Sequence, residues 1–241
     1  MNNEIPTSVF FDLDDTLYEY LPCHQAGLKA AITLMSNKLN ISKPEAESIY
    51  ENGRRLVKAR LGETASSHSR LLYFREGLIS KGLGKESTVC LDFENRYWTY
   101  FLFEMKVKDG LRNLISSLKY AKIPTFLVTD LTDQVQLRKL VKLNLEEAFD
   151  EIISSELAGG DKVTNKPFQI LFNLLDPKIL ERPIFIGDSI QDFPNFKNIV
   201  GYPINPTARN FCFSKTHNYP MKIEKVKNFQ ELESKIFAAN E

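Results

Sequence analysis

Residues 10–17, FFDLDDTL, set Asp12 and Asp14 two positions apart where an apolar run gives out. In an extended chain that spacing sends both side chains to one face, and a tight turn can then bring both carboxylates over one ligand. Paired carboxylates at an open strand end suit a hard, oxygen-seeking cation such as magnesium, which also tolerates a phosphate oxygen in its shell. Alone, the segment reads equally well as a capped turn, since Asp and Thr end strands by hydrogen-bonding their own backbone. A second acidic cluster shifts that balance. In PIFIGDSIQDF, Asp188 follows Gly187 and Asp192 comes four residues later. Asp188 can reach a cation held by Asp12, and Asp192, one helical turn on, can hold Asp188 or a cation-bound water. Between the two clusters, TFLVTD offers Thr129, a neutral hydroxyl donor able to bond a phosphoryl oxygen without competing for the cation. The alternative for Thr129 is an ordinary helix cap before residues 134–143.

These side chains act together only if the fold gathers them. Residues 8–13 (SVFFDL) form a short β-branched and aromatic run, the pattern of a strand buried on both faces of a parallel sheet. Residues 123–128, 152–153 and 183–186 repeat it, each followed by polar or glycine punctuation and then a helical stretch. Strands alternating with helices imply an α/β fold, a doubly wound parallel sheet of Rossmann-like kind. Ligands bind such sheets at the carboxyl ends of the strands, where residues 12–16, 129–130 and 187–192 fall. Between residue 17 and about 105 the pattern changes. Residues 22–39 have helical spacing, Ser42 with Glu45 forms a capping box, and Pro44 opens a second helix toward Arg60. Two further helical stretches cover 69–81 and 87–103, with no strand candidate among them. The chain therefore divides into an α/β core of residues 1–17 and 106–241 and an inserted all-helical domain of residues 18–105. Within the core Asp109 is expected to cap a helix running to Tyr120, and Asn228 precedes an amphipathic helix, FQELESKIF. There is no internal repeat, low-complexity tract or Gly/Ser linker.

Composition narrows the partners. The 241 residues carry 31 basic and 31 acidic side chains, a formal net charge of zero, so no broad field draws the protein to nucleic acid or an anionic membrane. Cys23, Cys90 and Cys212 are odd in number and far apart, which argues against a disulfide framework or a zinc cluster and fits a reducing cytoplasm. No stretch approaches the length of a membrane span, and the N-terminus lacks a basic stretch leading into an apolar run. The expectation is a cytoplasmic protein acting on a small molecule.

The order DLDDT, a strand ending in threonine, a lysine, then GDSxxxD resembles the haloacid dehalogenase superfamily, in its subclass with a helical cap between the first and second motifs. The resemblance covers nearly the whole chain. It implies a nucleophile at Asp12, an acid/base at Asp14, a phosphate-binding Thr129 and a charge-neutralising lysine. It also implies Mg2+ held by Asp12, the main-chain carbonyl of Asp14 and Asp188. Asp14 could then serve both half-reactions only with its side chain off the metal and its pKa raised by neighbouring carboxylates. Thr16 would hold the turn. For the lysine, Lys162 and Lys166 compete. Pro167 favours Lys166, whereas the approach SSELAGGDK and the phase of Phe168, Leu171 and Leu175 favour Lys162, the expected charge-neutralising lysine. Asparagine often follows the motif-two threonine; here Asp130 does, and it is expected to cap the next helix.

The resemblance thus implies a phosphatase acting on a small phosphate monoester through a phospho-aspartyl intermediate. Haloacid dehalogenases proper lack an acid where Asp14 stands, because halide leaves without a proton. A phosphomutase on the same fold is the nearest alternative. A catalytically idle binding protein is a further one, against which stands the intact set Asp12, Asp14, Lys162 and Asp188. For substrate choice the polar stretch of residues 62–75 offers His68 and Arg70 to a second anionic or hydroxyl-rich part of the ligand; the alternative is a solvated loop with surface arginines. Tyr18 and Tyr20, directly after the first motif, either line the pocket or pack at the hinge. Sugar phosphates, nucleotides and glycolate-type phosphates all remain open.

Overall fold

The computed structural model describes residues 5–83, 87–200, 207–213 and 222–237. The chain forms two compact units, Met1–Glu19 with Lys106–Glu241, and Tyr20–Met105. Tyr18 and Glu19, counted with the insert on sequence, fall in the first unit. Tyr18 makes an antiparallel bridge to Val107, and the Lys108 amide donates to the Leu17 carbonyl at 2.9 Å, so the departing and returning chain are joined there.

The first unit is built on a parallel sheet of β1 (Ser8–Phe11), β2 (Thr125–Thr129), β3 (Glu151–Ser154), β4 (Pro183–Gly187), β5 (Arg209–Cys212) and β6 (Glu224–Lys225). The strand order is β3-β2-β1-β4-β5-β6, and every pairing is parallel. This is the expected doubly wound α/β sheet. β1, β2 and β4 are buried at every residue, as their unbroken apolar runs require. Phe10 of β1 stacks on Phe126 of β2 at 5.0 Å and on Phe185 of β4 at 4.8 Å, so three neighbouring strands present aligned rings on one face. Strand order reverses between β1 and β4, and that switch point is where a crevice opens at the strand ends.

The second unit contains α1 (Tyr20–Leu39), α2 (Lys43–Leu61), α3 (Arg70–Ile79) and α4 (Ser87–Glu104). Ser42 caps α2 by accepting from the Glu45 amide at 3.3 Å, and Ser69 caps α3 in the same way. α2 and α3 meet backbone to backbone: a Cβ on Gly53 would lie 2.0 Å from the Tyr73 carbonyl oxygen, so only glycine allows the approach.

Back in the first unit, α5 (Leu111–Tyr120), α6 (Asp133–Leu143), α7 (Ser155–Ala158), α8 (Lys166–Leu174) and α9 (Phe229–Phe237) complete the helices. α5 is capped by Gly110 in the left-handed region with no side-chain bond, so the cap expected from Asp109 is not made. Asn228 does receive the Glu231 amide at 2.9 Å ahead of α9. α8 turns Phe168, Leu171 and Phe172 onto the Phe10, Phe126 and Phe185 face, with Leu175 partly buried against it.

Candidate active site

Asp12 stands one residue past β1, at the switch point. Its amide still donates to Ile186 of β4 at 2.9 Å, which fixes the backbone before the chain turns away. The turn passes through Asp15 in the left-handed region and returns Thr16 beneath the site, where its hydroxyl donates to Asp12 Oδ2 at 2.8 Å. Asp12 Oδ1 accepts from Lys162 Nζ at 2.5 Å. The same ammonium bonds Asp192 Oδ1, and Asp192 Oδ2 takes the Asp188 and Ser189 amides at 3.0 and 2.7 Å. One carboxylate oxygen from each of Asp12, Asp188 and Asp192 thus lies within 4.8 Å of the others. Gly187 makes the geometry feasible, since a Cβ there would sit 2.3 Å from Asp192 Cβ.

This cluster is short of positive charge. Burial pushes Asp12 well above the usual carboxylate range; Asp192 adds to the rise and Lys162 only partly opposes it. Burial, then Asp192 and Asp15, lift Asp188 to about 7. Burial works against the Lys162 ammonium, yet Asp12 and then Asp192 outweigh it and hold the group well above the ordinary lysine value. Asp12 and Asp188 are therefore driven to take up protons, and a divalent cation would remove that demand. An all-oxygen, anionic donor set suits a hard cation, so the residues present can chelate a divalent metal such as Mg2+.

Asp14 points elsewhere. Both its oxygens accept from Lys139 Nζ, at 2.6 and 2.8 Å, and Oδ1 also accepts from the Tyr18 hydroxyl. Carboxylates were expected beside Asp14; the ammonium of Lys139 is bonded to it as well. Tyr18 is accordingly a partner of Asp14, which neither pocket lining nor hinge packing anticipated. Lys139 and Gln136 escaped the sequence reading altogether. Gln136 Nε2 donates to Thr129 Oγ1 and to the Asp130 carbonyl, both at 2.5 Å. Their signal was available: on α6 the inward stripe is Val135, Gln136, Lys139, Leu140 and Leu143, two polar residues on an otherwise apolar face.

Asp130 does not cap α6, whose N-cap is Thr132. Its Oδ1 instead accepts from Ser155 Oγ at 2.7 Å and from the Lys162 amide at 2.8 Å, tying the lysine loop to the end of β2. Of the two lysines, Lys162 is 5% exposed and lies in the cluster. Lys166 begins α8, is exposed, and bonds the Gly159 carbonyl at 2.9 Å.

A family model described as haloacid dehalogenase-like hydrolase matches residues 7–199. The chain belongs to the haloacid dehalogenase-like hydrolases. Ribulose-1,5-bisphosphate 5-phosphatase of Halopiger xanaduensis is 33% identical over 197 residues, 81% of this chain and 82% of that protein. Glyceraldehyde 3-phosphate phosphatase of Pyrococcus furiosus is 26% identical over 193 residues, 79% of this chain and 76% of its own. Among solved structures, a phosphatase of the same superfamily from Thermococcus onnurineus superposes with a TM-score of 0.65 at 21% identity, covering 97% of this chain and 98% of that one. The helical unit is the cap domain of the superfamily, inserted between core motifs, and the aspartate cluster fits phosphohydrolase chemistry. Among the described residues no helix is long and apolar enough to cross a membrane.

Inside the cap, the two residues expected to contact substrate differ. The His68 ring lies against Lys58 Nζ, with Nδ1 at 3.0 Å, and closes the 3-10 turn Ala65–His68. Arg70 is only 6% exposed, which rules out the surface-arginine alternative for it. Its guanidinium donates to the Tyr20 hydroxyl at 2.5 Å and the His68 carbonyl at 2.6 Å, and stands 5.4 and 5.3 Å from the rings of Tyr97 and Trp98. Tyr20 packs on His24 and Phe101. Burial, then the Arg70 charge, lowers His24 to about 4.

Proposed function

We propose that this hydrolase is a magnesium-dependent phosphatase of small phosphate monoesters that works through a phospho-aspartyl group on Asp12. The observation that carries the reading is Asp12 itself, fixed at the sheet's switch point with one oxygen on Lys162, the other on Thr16, and two further carboxylates beside it. A buried, crowded carboxylate is costly for stability and is useful where its oxygen must meet phosphorus in a fixed direction.

In the first half-reaction an Asp12 oxygen forms a bond to phosphorus as the bond to the ester oxygen breaks, and Asp14 gives the departing alkoxide a proton. In the second, Asp14 takes a proton from water, whose oxygen attacks phosphorus; the Asp12–phosphorus bond breaks and inorganic phosphate leaves. Lys162 neutralises charge on the phosphoryl group, and the Thr129 hydroxyl, which accepts from Gln136, would turn its hydrogen from the long 3.4 Å contact with the Asp130 carbonyl to a phosphoryl oxygen. Mg2+ held by Asp12, Asp188 and the Asp14 carbonyl, with Asp192 behind them, would supply charge neutralisation on the remaining phosphoryl oxygens.

Two relatives act, by name, on phosphorylated small sugars, a pentulose bisphosphate and a triose phosphate. They support a sugar phosphate over a nucleotide as the substrate here. The test is phosphate release from ribulose 1,5-bisphosphate, glyceraldehyde 3-phosphate and a nucleoside monophosphate. It is run with chelator, with Mg2+ restored, and with Asp12→Asn. Sugar-phosphate turnover that needs Mg2+ and vanishes in Asp12→Asn is expected; undiminished turnover in that variant, or in excess chelator, would refute the mechanism.

A further inference from the structure

Lys139 is fully enclosed on the inward face of α6. An ammonium withdrawn from water on a helix face that is otherwise apolar needs a strong compensating interaction, and here that interaction is bidentate pairing with Asp14 at 2.6 and 2.8 Å. The pairing is built rigidly. One turn earlier on the same face, Gln136 ties α6 to the end of β2 through Thr129 and the Asp130 carbonyl, which sets the height and rotation of the helix. Tyr18 closes on Asp14 from the other side, and its ring lies 5.9 Å from the Lys139 ammonium.

The consequence concerns what Asp14 is kept from doing. An acidic side chain two residues after Asp12, beside three carboxylates able to hold a divalent cation, is itself a ready cation ligand. A carboxylate committed to a cation cannot move a proton. We propose that Lys139 is a positioning residue that holds the Asp14 carboxylate away from the cation site, leaving it available for proton transfer. The proposal rests on the reading of Asp14 as the proton-transfer group, but its main readout is metal affinity, which that reading does not predict.

The experiment is Mg2+ titration calorimetry on the full chain, with sugar-phosphate turnover in parallel, for Lys139→Met, Lys139→Arg and Lys139→Met with Asp14→Asn. In Lys139→Met the freed carboxylate swings onto the cation. Mg2+ then binds roughly tenfold more tightly, as an added anionic ligand requires, while kcat falls about 100-fold or more, the usual share of acid–base catalysis. Lys139→Arg restores Mg2+ affinity to the wild-type value and recovers part of kcat. The double variant returns Mg2+ affinity to the wild-type value without restoring turnover. A lysine that merely braces the fold would give Mg2+ binding unchanged or weakened in Lys139→Met with native circular dichroism, and that result overturns the proposal whatever happens to kcat. If Lys139→Met does not fold, Lys139→Ala, which removes both the donor and the charge and leaves room for water, replaces it under the same two outcomes. Persisting turnover in Asp12→Asn would sink the phosphatase mechanism and leave the affinity comparison intact, so the two failures are distinguishable.

Discussion

Replacing Lys162 by methionine keeps the length of the side chain and removes the one ammonium placed among Asp12, Asp188 and Asp192. Two effects follow, and they can be read separately. In turnover, a preorganised charge in a water-poor site is typically worth about 3 kcal/mol or more, roughly a 150-fold loss in kcat. In stability, removing one partner of a buried ion pair typically costs about 3–5 kcal/mol. The lower end applies, because Asp12 and Asp188, whose values are raised, relieve part of the repulsion by binding protons. Mg2+ should therefore raise the melting temperature of Lys162→Met by more than it raises that of the wild type. Lys166→Ala, at an exposed site whose ammonium bonds the Gly159 carbonyl, should stay within about 0.5 kcal/mol and keep its turnover. The assay is phosphate release at saturating substrate and Mg2+, with thermal unfolding in chelator and in Mg2+. A dead Lys166→Ala beside an active Lys162→Met would refute the assignment, and equal melting shifts on adding Mg2+ would refute the account of the charge imbalance.

Three further outcomes are expected. Because the folded-state value of Asp188 is raised to about 7 from 3.8, the folded protein binds the extra proton across that range. Metal-free stability should accordingly fall as pH rises from about 4 to about 7 and level off above. Melting temperatures in chelator at pH 5 and pH 7.5 check this, and a slope that is not flattened in Asp188→Asn would count against it. Gly187→Ala places a Cβ 2.3 Å from Asp192 Cβ and should displace that side chain, with about 1–3 kcal/mol of destabilisation and weaker Mg2+ binding by calorimetry. Asp130→Ala frees the Lys162 amide and Ser155, and should lower kcat about tenfold through a less well-placed lysine, whereas Asp130→Asn, which retains an acceptor oxygen, should lose less; equal losses would show that the charge, not the tether, matters.

The strands that carry Asp12, Thr129 and Asp188 were legible because burial on both faces leaves an unbroken apolar run. Lys162 was preferred to Lys166 on the approach SSELAGGDK and the phase of Phe168, Leu171 and Leu175, and it is Lys162 whose ammonium bonds Asp12. β5 and β6 were not legible. EK is only two residues long and lies at the sheet's edge, and RNFC, though paired on both sides, is half polar with its first two residues only partly buried, so neither makes an apolar run. Asp109 and Asp130 failed for a shared reason: both were read as helix caps from residue type, and a left-handed Gly110 and a long-range tether to Lys162 prevailed. Lys139 was lost because a lysine on a helix reads as solvent-facing until a carboxylate from a distant segment accounts for its burial.

The central place of β1 has a consequence for how the molecule comes into being. Val9 pairs on one side with Thr125 and on the other with Ile184, so the first strand to be synthesised is flanked by strands made far later. The interactions within Tyr20–Met105 are complete long before either flank exists. Closing such long loops is slow compared with forming local helices, and Asp188 and Asp192 reach Asp12 only when β4 docks. A growing chain can therefore finish its cap while Asp12 still lacks Lys162 and the other carboxylates beside it, and the cluster is assembled only when the last central strand pairs.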